Sequence, residues 1–289
     1  MSQSERKMAD TTGKILLAVK GDRPLSDASW KQGRILLSNK RLILATQDGK
    51  QTYPLRDLRQ IGGRMDASID ARQVADYVTL RFVDRTYLVA ASDHERFEHL
   101  LFKALLHGRS VQVKYPAVEG GVVTDANWET ASLTLDEDGL ALAIQSGTFV
   151  SLDLDELSGI QTDMRDVAGT QRIVIAASHL DREGTIVETH IGAAEPHGEH
   201  LRTYLLEGLA STETNVELSE TEREVLMALY SGISPFEIST FIDRDIDEVE
   251  EIYERLLKVD LVDEIRVRRE VRLNARGRNV ASGISEEQW

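Results

Sequence analysis

The sequence predicts an α+β protein of several domains, in which two copies of a small β-barrel domain precede a helical domain. Three observations predict this: a repeat at an offset of 98 residues, a closing helical stretch in each copy, and a change to helical spacing after residue 215. The 289 residues are 41% hydrophobic, so the chain can form two or three domains with cores of their own.

The repeat relates the segment that begins at Trp30 to the segment that begins at Trp128. Apolar residues and a turn glycine recur at an offset of 98 residues. After the glycine the second copy has one additional residue, and the apolar residues continue to match beyond it. The matched pairs include Trp30 and Trp128, Leu37 and Leu135, Leu42 and Leu140, Leu44 and Leu142, Gly49 and Gly147, Leu55 and Leu154, and Ile61 and Ile160. This register predicts a duplicated domain and favours a structural role for the two tryptophans.

Each copy has the pattern of several short strands followed by one helix. Turns at 38–40 and 47–49 separate β-forming runs in the first copy, and an apolar stripe over 93–107 predicts its helix. The expected strands are 34–37, 41–45, 51–55, 77–82 and 87–90, then 172–178 and 184–191 in the second copy, whose helix is expected over 199–209. Such a barrel resembles the pleckstrin-homology (PH) or GRAM type, so we expect two tandem PH/GRAM-like β-barrel domains, each closed by a C-terminal helix, over 1–115 and 116–215.

Residues 216–278 have a different, helical pattern. Helices are expected to begin at two capping boxes and at one aspartate, namely Ser219 with Glu222, Ser234 with Glu237, and Asp245. Residues 265–273 then alternate apolar and charged side chains, as a β-hairpin does. Three helices and a hairpin in this order predict a winged helix-turn-helix domain, which a flexible tail over 279–289 follows.

Charge is unevenly distributed along the chain. The net charge of −15, with 9 lysines against 25 arginines, favours a surface adapted to high salt; an ordinary acidic protein is the alternative. Residues 1–115 carry +7, residues 116–215 carry −14, and residues 216–289 carry −8. The basic first domain therefore predicts an acidic partner, or contact with the acidic second copy. The densest candidates for this contact are Lys31, Arg34, Lys40, Arg41, Arg56, Arg59 and Arg64.

The third domain has few of the features that DNA recognition needs. Its third helix would expose a row of carboxylates that repel a duplex: Asp247, Glu248, Glu250, Glu251 and Glu254. Only the expected wing is basic, through Arg266, Arg268, Arg269 and Arg272. Protein interaction is thus favoured over nucleic-acid binding. The terminal Trp289 is either a frayed end or the aromatic anchor of a docking peptide.

Catalytic and cofactor motifs are missing from the sequence. The chain has no cysteine, which excludes disulfides, thiol nucleophiles and Cys-ligated metals, and no P-loop, dinucleotide glycine pattern, GxSxG or HExxH. A weak metal pattern is formed by His190, His197 and His200 with Glu195 and Glu199, in a loop that runs into a helix. We therefore expect a non-enzyme without metal or cofactor. No apolar run approaches the roughly 20 residues of a membrane span, so a cytoplasmic protein without membrane insertion is expected.

Two stretches carry a family resemblance: DASWKQGRILLSNKRLILAT in the first repeat and SETEREVLMALYSGISPFEI at the start of the third domain. They resemble the archaeal taxis protein family CheF, and the resemblance runs over essentially the whole chain. It implies a non-enzymatic chemotaxis adaptor that binds the phosphorylated response regulator CheY and couples it to the archaellum motor switch, controlling rotational switching. CheC and CheD are further implied partners, at the cytoplasmic face of the motor.

The adaptor hypothesis assigns a different surface to each partner. CheY is expected at Arg266, Arg268, Arg269, Arg272 and Trp289, and the motor switch at the seven basic residues of the first domain. The alternative is a winged-helix transcription regulator with a duplicated sensory domain, which would need a basic dimeric surface. A lipid-binding adaptor would have to bind membranes through the basic domain. Winged helices often pair, which leaves a homodimer open.

Overall fold

The computed structural model describes residues 4–21, 23–25, 28–62, 74, 76–136, 138–181, 184–212, 218–259 and 261–262. The chain forms two compact units, residues 1–213 and 214–289. The first unit contains two curled antiparallel sheets, each followed by a helix, and the described part of the second unit is helical. The fold is therefore α+β with two tandem β domains, as predicted.

The first β domain consists of one sheet and one closing helix. Its strands are β1 (Lys7–Lys20), β2 (Arg23–Pro24), β3 (Lys31–Ser38), β4 (Arg41–Thr46), β5 (Gly49–Pro54), β6 (Leu58–Ile61), β7 (Val78–Phe82) and β8 (Arg85–Ala91), and the helix is α1 (His94–Leu106). The strand order is β5-β4-β3-β1-β8-β7-β6, and β2 pairs with β1. A single 3-10 turn, Leu55–Asp57, joins β5 to β6.

The second β domain repeats this arrangement. Its strands are β9 (Arg109–Glu119), β10 (Val122–Val123), β11 (Glu129–Leu135), β12 (Gly139–Ile144), β13 (Phe149–Asp153), β14 (Leu157–Val167), β15 (Thr170–Leu180) and β16 (Ile186–Ala193), and the helix is α2 (His197–Thr212). The strand order is β13-β12-β11-β9-β16-β15-β14, and β10 pairs with β9. The equivalent 3-10 turn is Leu154–Glu156. The duplication predicted from the sequence is thus confirmed.

The central strand of each sheet was not predicted from the sequence. Strand β1 pairs antiparallel with both β3 and β8, and β9 pairs in the same way with β11 and β16. At Gly13 in β1, an added Cβ would lie 2.2 Å from the carbonyl oxygen of Ala90, so this close approach requires glycine. Because β9 runs through the boundary expected between residues 115 and 116, the second sheet already begins at Arg109.

Alternating residues along the strands form the core of each β domain. On β3 and β4 the inward side chains are at most 2% exposed, namely Ile35, Leu37, Leu42 and Leu44. Helix α1 packs on this core with the apolar stripe expected from its spacing, in which Phe97, Leu101 and Leu105 are buried and Leu100 and Ala104 partly buried. Phe102 and Leu106, which the stripe did not include, are buried as well. The matched tryptophans pack in structural positions, Trp30 against Tyr77 and Trp128 against His190.

The two β domains share one continuous apolar core. Helices α1 and α2 contact each other, and each also contacts the other domain's sheet, α1 at β11 and α2 at β6. The rings of Phe102 and Tyr204 lie 5.3 Å apart between the helices, and the Tyr204 hydroxyl donates to the carbonyl of Gly139 at 3.1 Å. We call this contact between the two closing helices the helix junction.

The described part of the second unit packs three helices around a small apolar core: α3 (Glu220–Tyr230), α4 (Ile238–Phe241) and α5 (Ile246–Lys258). The capping box of α3 is confirmed, because the Glu222 amide donates to Ser219 Oγ at 3.2 Å and the Ser219 amide to Glu222 Oε2 at 2.6 Å. Helix α5 begins after Asp245, as expected.

The second expected capping box, at Ser234 and Glu237, is wrong. Helix α4 begins only at Ile238, because residues 235–237 form a turn in which the Glu237 amide donates to the Ser234 carbonyl at 2.8 Å. Pro235 favours such a turn at its second position as readily as it favours the first turn of a helix. The hairpin expected over 265–273 and the tail over 279–289 lie outside the described residues.

Candidate functional site

Two adjoining depressions near the end of α1 are lined largely by basic side chains. Their volumes are about 540 Å³ and 290 Å³, and both are lined by Asn39, Lys40 and Arg109. We call them together the basic groove. Its charged lining consists of six cations and, among the described residues, one carboxylate: Arg6, Lys40, Arg41, Arg56, Lys103, Arg109 and Glu5.

The turn between β3 and β4 forms one wall of the basic groove and is held by side-chain hydrogen bonds. Ser38 Oγ accepts from the amides of Lys40 and Arg41 at 3.2 and 3.0 Å. Asn39 Oδ1 accepts from the Arg6 amide at 2.9 Å, which attaches the start of β1 to the turn. Short polar side chains favour such turns because they can bond the local backbone. The positions of Arg6 and Lys40 are therefore fixed relative to one another at the backbone.

The single carboxylate of the basic groove is already engaged. Glu5 accepts two hydrogen bonds from the Arg41 guanidinium, both at 2.7 Å, and a third from Ser38 at 2.7 Å. These bonds, that from Arg41 above all, lower the pKa of Glu5 below its ordinary value. Arg41 thus has a structural role. Of the other lining cations, Arg56 lies 3.8 Å from Asp57, a carboxylate that does not itself line the groove.

Helix α1 and the start of β9 supply the opposite wall. Lys103 lies in the last turn of α1, and Arg109 follows the helix by three residues. The Arg109 Nε donates to the carbonyl of Leu105 at 2.9 Å, so its guanidinium is anchored on the helix end. Multiple Arg and Lys donors facing one concave space suit the recognition of carboxylates or phosphates.

The seven basic residues that the sequence singled out do not form one surface. Lys40, Arg41 and Arg56 line the basic groove, whereas Arg59 is exposed on β6 and Arg64 lies outside the described residues. Two others point into local ion pairs instead.

These two residues are Lys31 and Arg34, whose expected role in partner binding stays a prediction; each forms an ion pair within the first β domain. Lys31 pairs with Asp48, and Arg34 donates twice to Asp10, at 2.7 and 2.8 Å. The Arg34 bonds, with a further one from Lys7, lower the pKa of Asp10 to about 2. Lys31 and Arg34 therefore stabilise their own strands, and neither lines the basic groove.

Three lining cations were missed by the sequence reasoning: Arg6, Lys103 and Arg109. Lys103 and Arg109 have no basic neighbour in the sequence, and Arg6 has only Lys7 beside it. The three come together because β1, the β3–β4 turn and the end of α1 meet. Arg6 could have been found only by recognising that residues 7–20 form a strand, because the pairing of β1 with β3 brings Arg6 next to the β3–β4 turn.

The histidine cluster that could suggest a metal site does not assemble. His190 pairs with Glu188 and lies beside Trp128, while His200 is buried at the helix junction. Burial, together with His197 and Arg109, lowers the pKa of His200 to about 4. Over the described ranges, no group of three His, Asp or Glu side chains could hold a metal ion.

Comparisons with known proteins identify the family. The family described as archaeal chemotaxis signal transduction system protein F matches residues 7–211, and a domain of unknown function, DUF8579, matches residues 217–286. Taxis protein CheF1 of Halobacterium salinarum is 44% identical over 99% of this chain and 100% of its own length. The chain belongs to the CheF family.

A second CheF relative and one solved structure complete the comparisons. Taxis protein CheF2 of Halobacterium salinarum is 29% identical over 80% of this chain and 83% of its own. The C-terminal domain of an unknown protein from Leishmania infantum matches at 10% identity, over 35% of this chain and 84% of that one, with a TM-score of 0.26, which is too low to support an argument. The CheF relatives establish a role in chemotaxis signal transduction.

The limits of the CheF match and of the DUF8579 match agree with the division of the chain into two units. The match over 7–211 covers both β domains, and the match over 217–286 falls in the second unit.

In the second unit the described carboxylates of α5 are exposed, as expected: Asp247, Glu248, Glu250, Glu251 and Glu254. The residues expected to bind CheY, which are Arg266, Arg268, Arg269, Arg272 and Trp289, lie outside the described residues. No helix in the described ranges is long and apolar enough to cross a membrane.

Proposed function

We propose that this CheF protein is a non-enzymatic adaptor that binds phosphorylated CheY and couples it to the archaellum motor switch, thereby controlling rotational switching. Family membership supports the taxis role. The observation that carries the adaptor proposal is the basic groove, in which six cations face one engaged carboxylate within a chain of net charge −15. A concave cationic surface of this kind suits a carboxylate-rich protein partner.

Strand order and helix order support the finer fold assignment. Seven strands in the order β5-β4-β3-β1-β8-β7-β6, closed by a helix, fit a PH-like barrel, and the second β domain has the same order. Helices α3, α4 and α5 fit the helical part of a winged helix-turn-helix domain. We take the second β domain to begin at Arg109, where its sheet begins.

Two partners are assigned to two surfaces. The motor switch binds the basic groove through Lys40, Arg56, Lys103 and Arg109, and CheY binds the second unit through Arg266, Arg268, Arg269, Arg272 and Trp289. Phosphorylation shifts CheY toward its activated conformation, and the adaptor binds this conformation more tightly than the inactive one. CheC and CheD are further partners, and the complex forms at the cytoplasmic face of the motor.

Charge reversal in the basic groove tests the motor assignment. Lys40→Glu changes an exposed lining cation on the β3–β4 turn, and Arg59→Glu makes a matched charge change on an exposed strand residue outside the groove. Binding of the archaellum switch proteins to the full chain is measured by calorimetry in multimolar KCl. We expect about tenfold weaker binding for Lys40→Glu and wild-type binding for Arg59→Glu. Equal losses in the two variants would refute the assignment.

Calorimetry with CheY tests the second surface. Titration with and without a phosphoryl mimic gives tighter binding of the activated form if the protein is the adaptor. Reversal of the four wing arginines then weakens that binding, whereas unchanged affinity refutes the placement of CheY.

The transcription-regulator alternative meets an obstacle in α5. The five exposed carboxylates of that helix would face the phosphate backbone if α5 entered the major groove. A regulator would bind DNA with a steep salt dependence. Retention of DNA by the full chain at low salt, lost as salt rises, would favour this alternative over the adaptor.

A further inference from the structure

The second unit exposes several large apolar side chains outside its core. The core is formed by Val225, Ala228, Ile238, Val249 and Leu256. Met227 is 61% exposed and Phe241 is 63% exposed, although both lie in helices that contribute to this core. A soluble domain rarely leaves a methionine and a phenylalanine exposed side by side without a binding role.

Met227 and Phe241 line the same open groove between α3 and α4, with a volume of about 420 Å³. The apolar surface continues through Ala228 and Ile242, which also line it. Methionine adapts to the shape of a bound side chain, and an aromatic ring offers a large rigid contact area. These properties are typical of grooves that bind an amphipathic helix.

The rim of this groove is acidic. Glu224 and Asp243 line it, and no cation lines it within the described residues. Over 218–259 and 261–262 the unit carries eleven carboxylates against four cations. Three of those cations, Arg244, Arg255 and Lys258, lie within 4 Å of a carboxylate of the same unit.

We propose that the groove formed by Met227, Phe241, Ala228 and Ile242 binds an amphipathic helix of a partner protein, whose apolar residues enter the groove and whose flanking Lys or Arg residues face Glu224 and Asp243. The acidic rim selects this occupant. A second copy of the chain would bring the same carboxylates face to face, and an anionic lipid surface would be repelled by them. The site is separate in charge and chemistry from the basic groove.

A pair of synthetic peptides tests the proposal. One is a helical peptide with Leu at i, i+3, i+4 and i+7 and Lys at the flanking positions, and the other has Glu in place of each Lys. Fluorescence anisotropy with the full chain measures both. We expect the dissociation constant of the Lys peptide to be lower than that of the Glu peptide by about tenfold or more. Equal binding of the two, or no binding of the Lys peptide, would overturn the proposal.

Variants separate the apolar contact from the charge contact. Phe241→Ala removes an exposed ring and should weaken the Lys peptide about tenfold, whereas Phe236→Ala removes an exposed ring that does not line the groove and should leave binding unchanged. Asp243→Asn removes the rim charge and retains a residue type that tolerates its φ of 53°. This substitution should reduce the difference in affinity between the Lys peptide and the Glu peptide.

Sedimentation equilibrium of the full chain completes the test. A mass that rises with concentration and falls back in Phe241→Ala would make a second copy the occupant and overturn the proposal. Circular dichroism of each variant establishes that the helices are retained. Loss of peptide binding by Phe236→Ala to the same extent as by Phe241→Ala would also overturn it.

Discussion

Glu207 at the helix junction makes the stability of the β domains depend on pH. Its carboxylate lies close to Gly62, the residue that follows β6, since a Cβ added to Gly62 would come within 2.8 Å of Glu207 Oε1. Burial, and then the nearby Glu98 of α1, raise its pKa to about 8. His94 lies 3.7 Å from Glu98 in the same region. The folded state therefore binds a proton that the unfolded state releases near the ordinary value of 4.5.

The sign follows from this difference in proton binding. Because the folded chain holds the proton more tightly, stability from this group is present below about pH 4.5 and is lost as the pH rises toward 8. At about 1.36 kcal/mol per tenfold in proton affinity, the rise from 4.5 to about 8 sets a ceiling of about 5 kcal/mol. Glu207 is only partly buried, and solvent screening reduces the realistic effect to about 1–2 kcal/mol.

The substitution Glu207→Gln tests this reasoning. The neutral side chain should stabilise the protein by about 1–2 kcal/mol near pH 8 and leave it almost unchanged near pH 5. Denaturant unfolding at fixed multimolar KCl, repeated across this pH range, measures the difference. Glu95→Gln, an exposed carboxylate on α1, is the control and should leave the pH slope unaltered. A gain in the free energy of unfolding that is equal at every pH, or a decrease near pH 8, would refute the assignment of the pH dependence to Glu207.

Three further substitutions have outcomes that follow from single contacts. Ser219→Ala removes the confirmed capping box and should destabilise the second unit by about 1 kcal/mol, seen as earlier melting of its helical signal. Gly13→Ala forces the clash with Ala90 and should cost about 1–3 kcal/mol in denaturant unfolding, whereas Gly159→Ala on β14, where an added Cβ meets nothing within 4 Å, should cost less. Phe102→Ala opens a cavity at the helix junction and should cost about 3–5 kcal/mol; a loss below about 1 kcal/mol would show that the junction collapses around it.

The duplicated fold could be predicted because its signals are local. Turns after Leu37 and before Lys50 separate short apolar runs, and the same order of runs and turns recurs 98 residues later around Leu135 and Gly147. The apolar stripe of α1 likewise follows from helical spacing alone. The central strand β1 escaped prediction because residues 7–12 are mostly polar and its first buried residue is Gly13. Only its two neighbours in the sheet make the polar half a strand.

The candidate site could be predicted only in part, because charge density in the sequence does not reveal pairing in space. Lys31 and Arg34 belong to a dense basic run, yet each has a carboxylate partner: Asp48 across the sheet and Asp10 on the adjacent strand. The basic groove depends instead on Lys103 and Arg109, which no run contains. Its composition is a property of the way β1, the β3–β4 turn and α1 meet.

High salt decides which of these charges can matter for binding. At molar ionic strength the screening length falls to about 3 Å, so long-range attraction between an acidic partner and a basic domain disappears. Ion pairs then contribute only where cations are already positioned for direct contact. Arg109, bonded to the end of α1, and Lys40, on a turn fixed by Ser38 and Asn39, meet this condition. The preorganised groove, rather than the net charge of the domain, is therefore the feature by which a carboxylate-rich partner can be recognised at high salt.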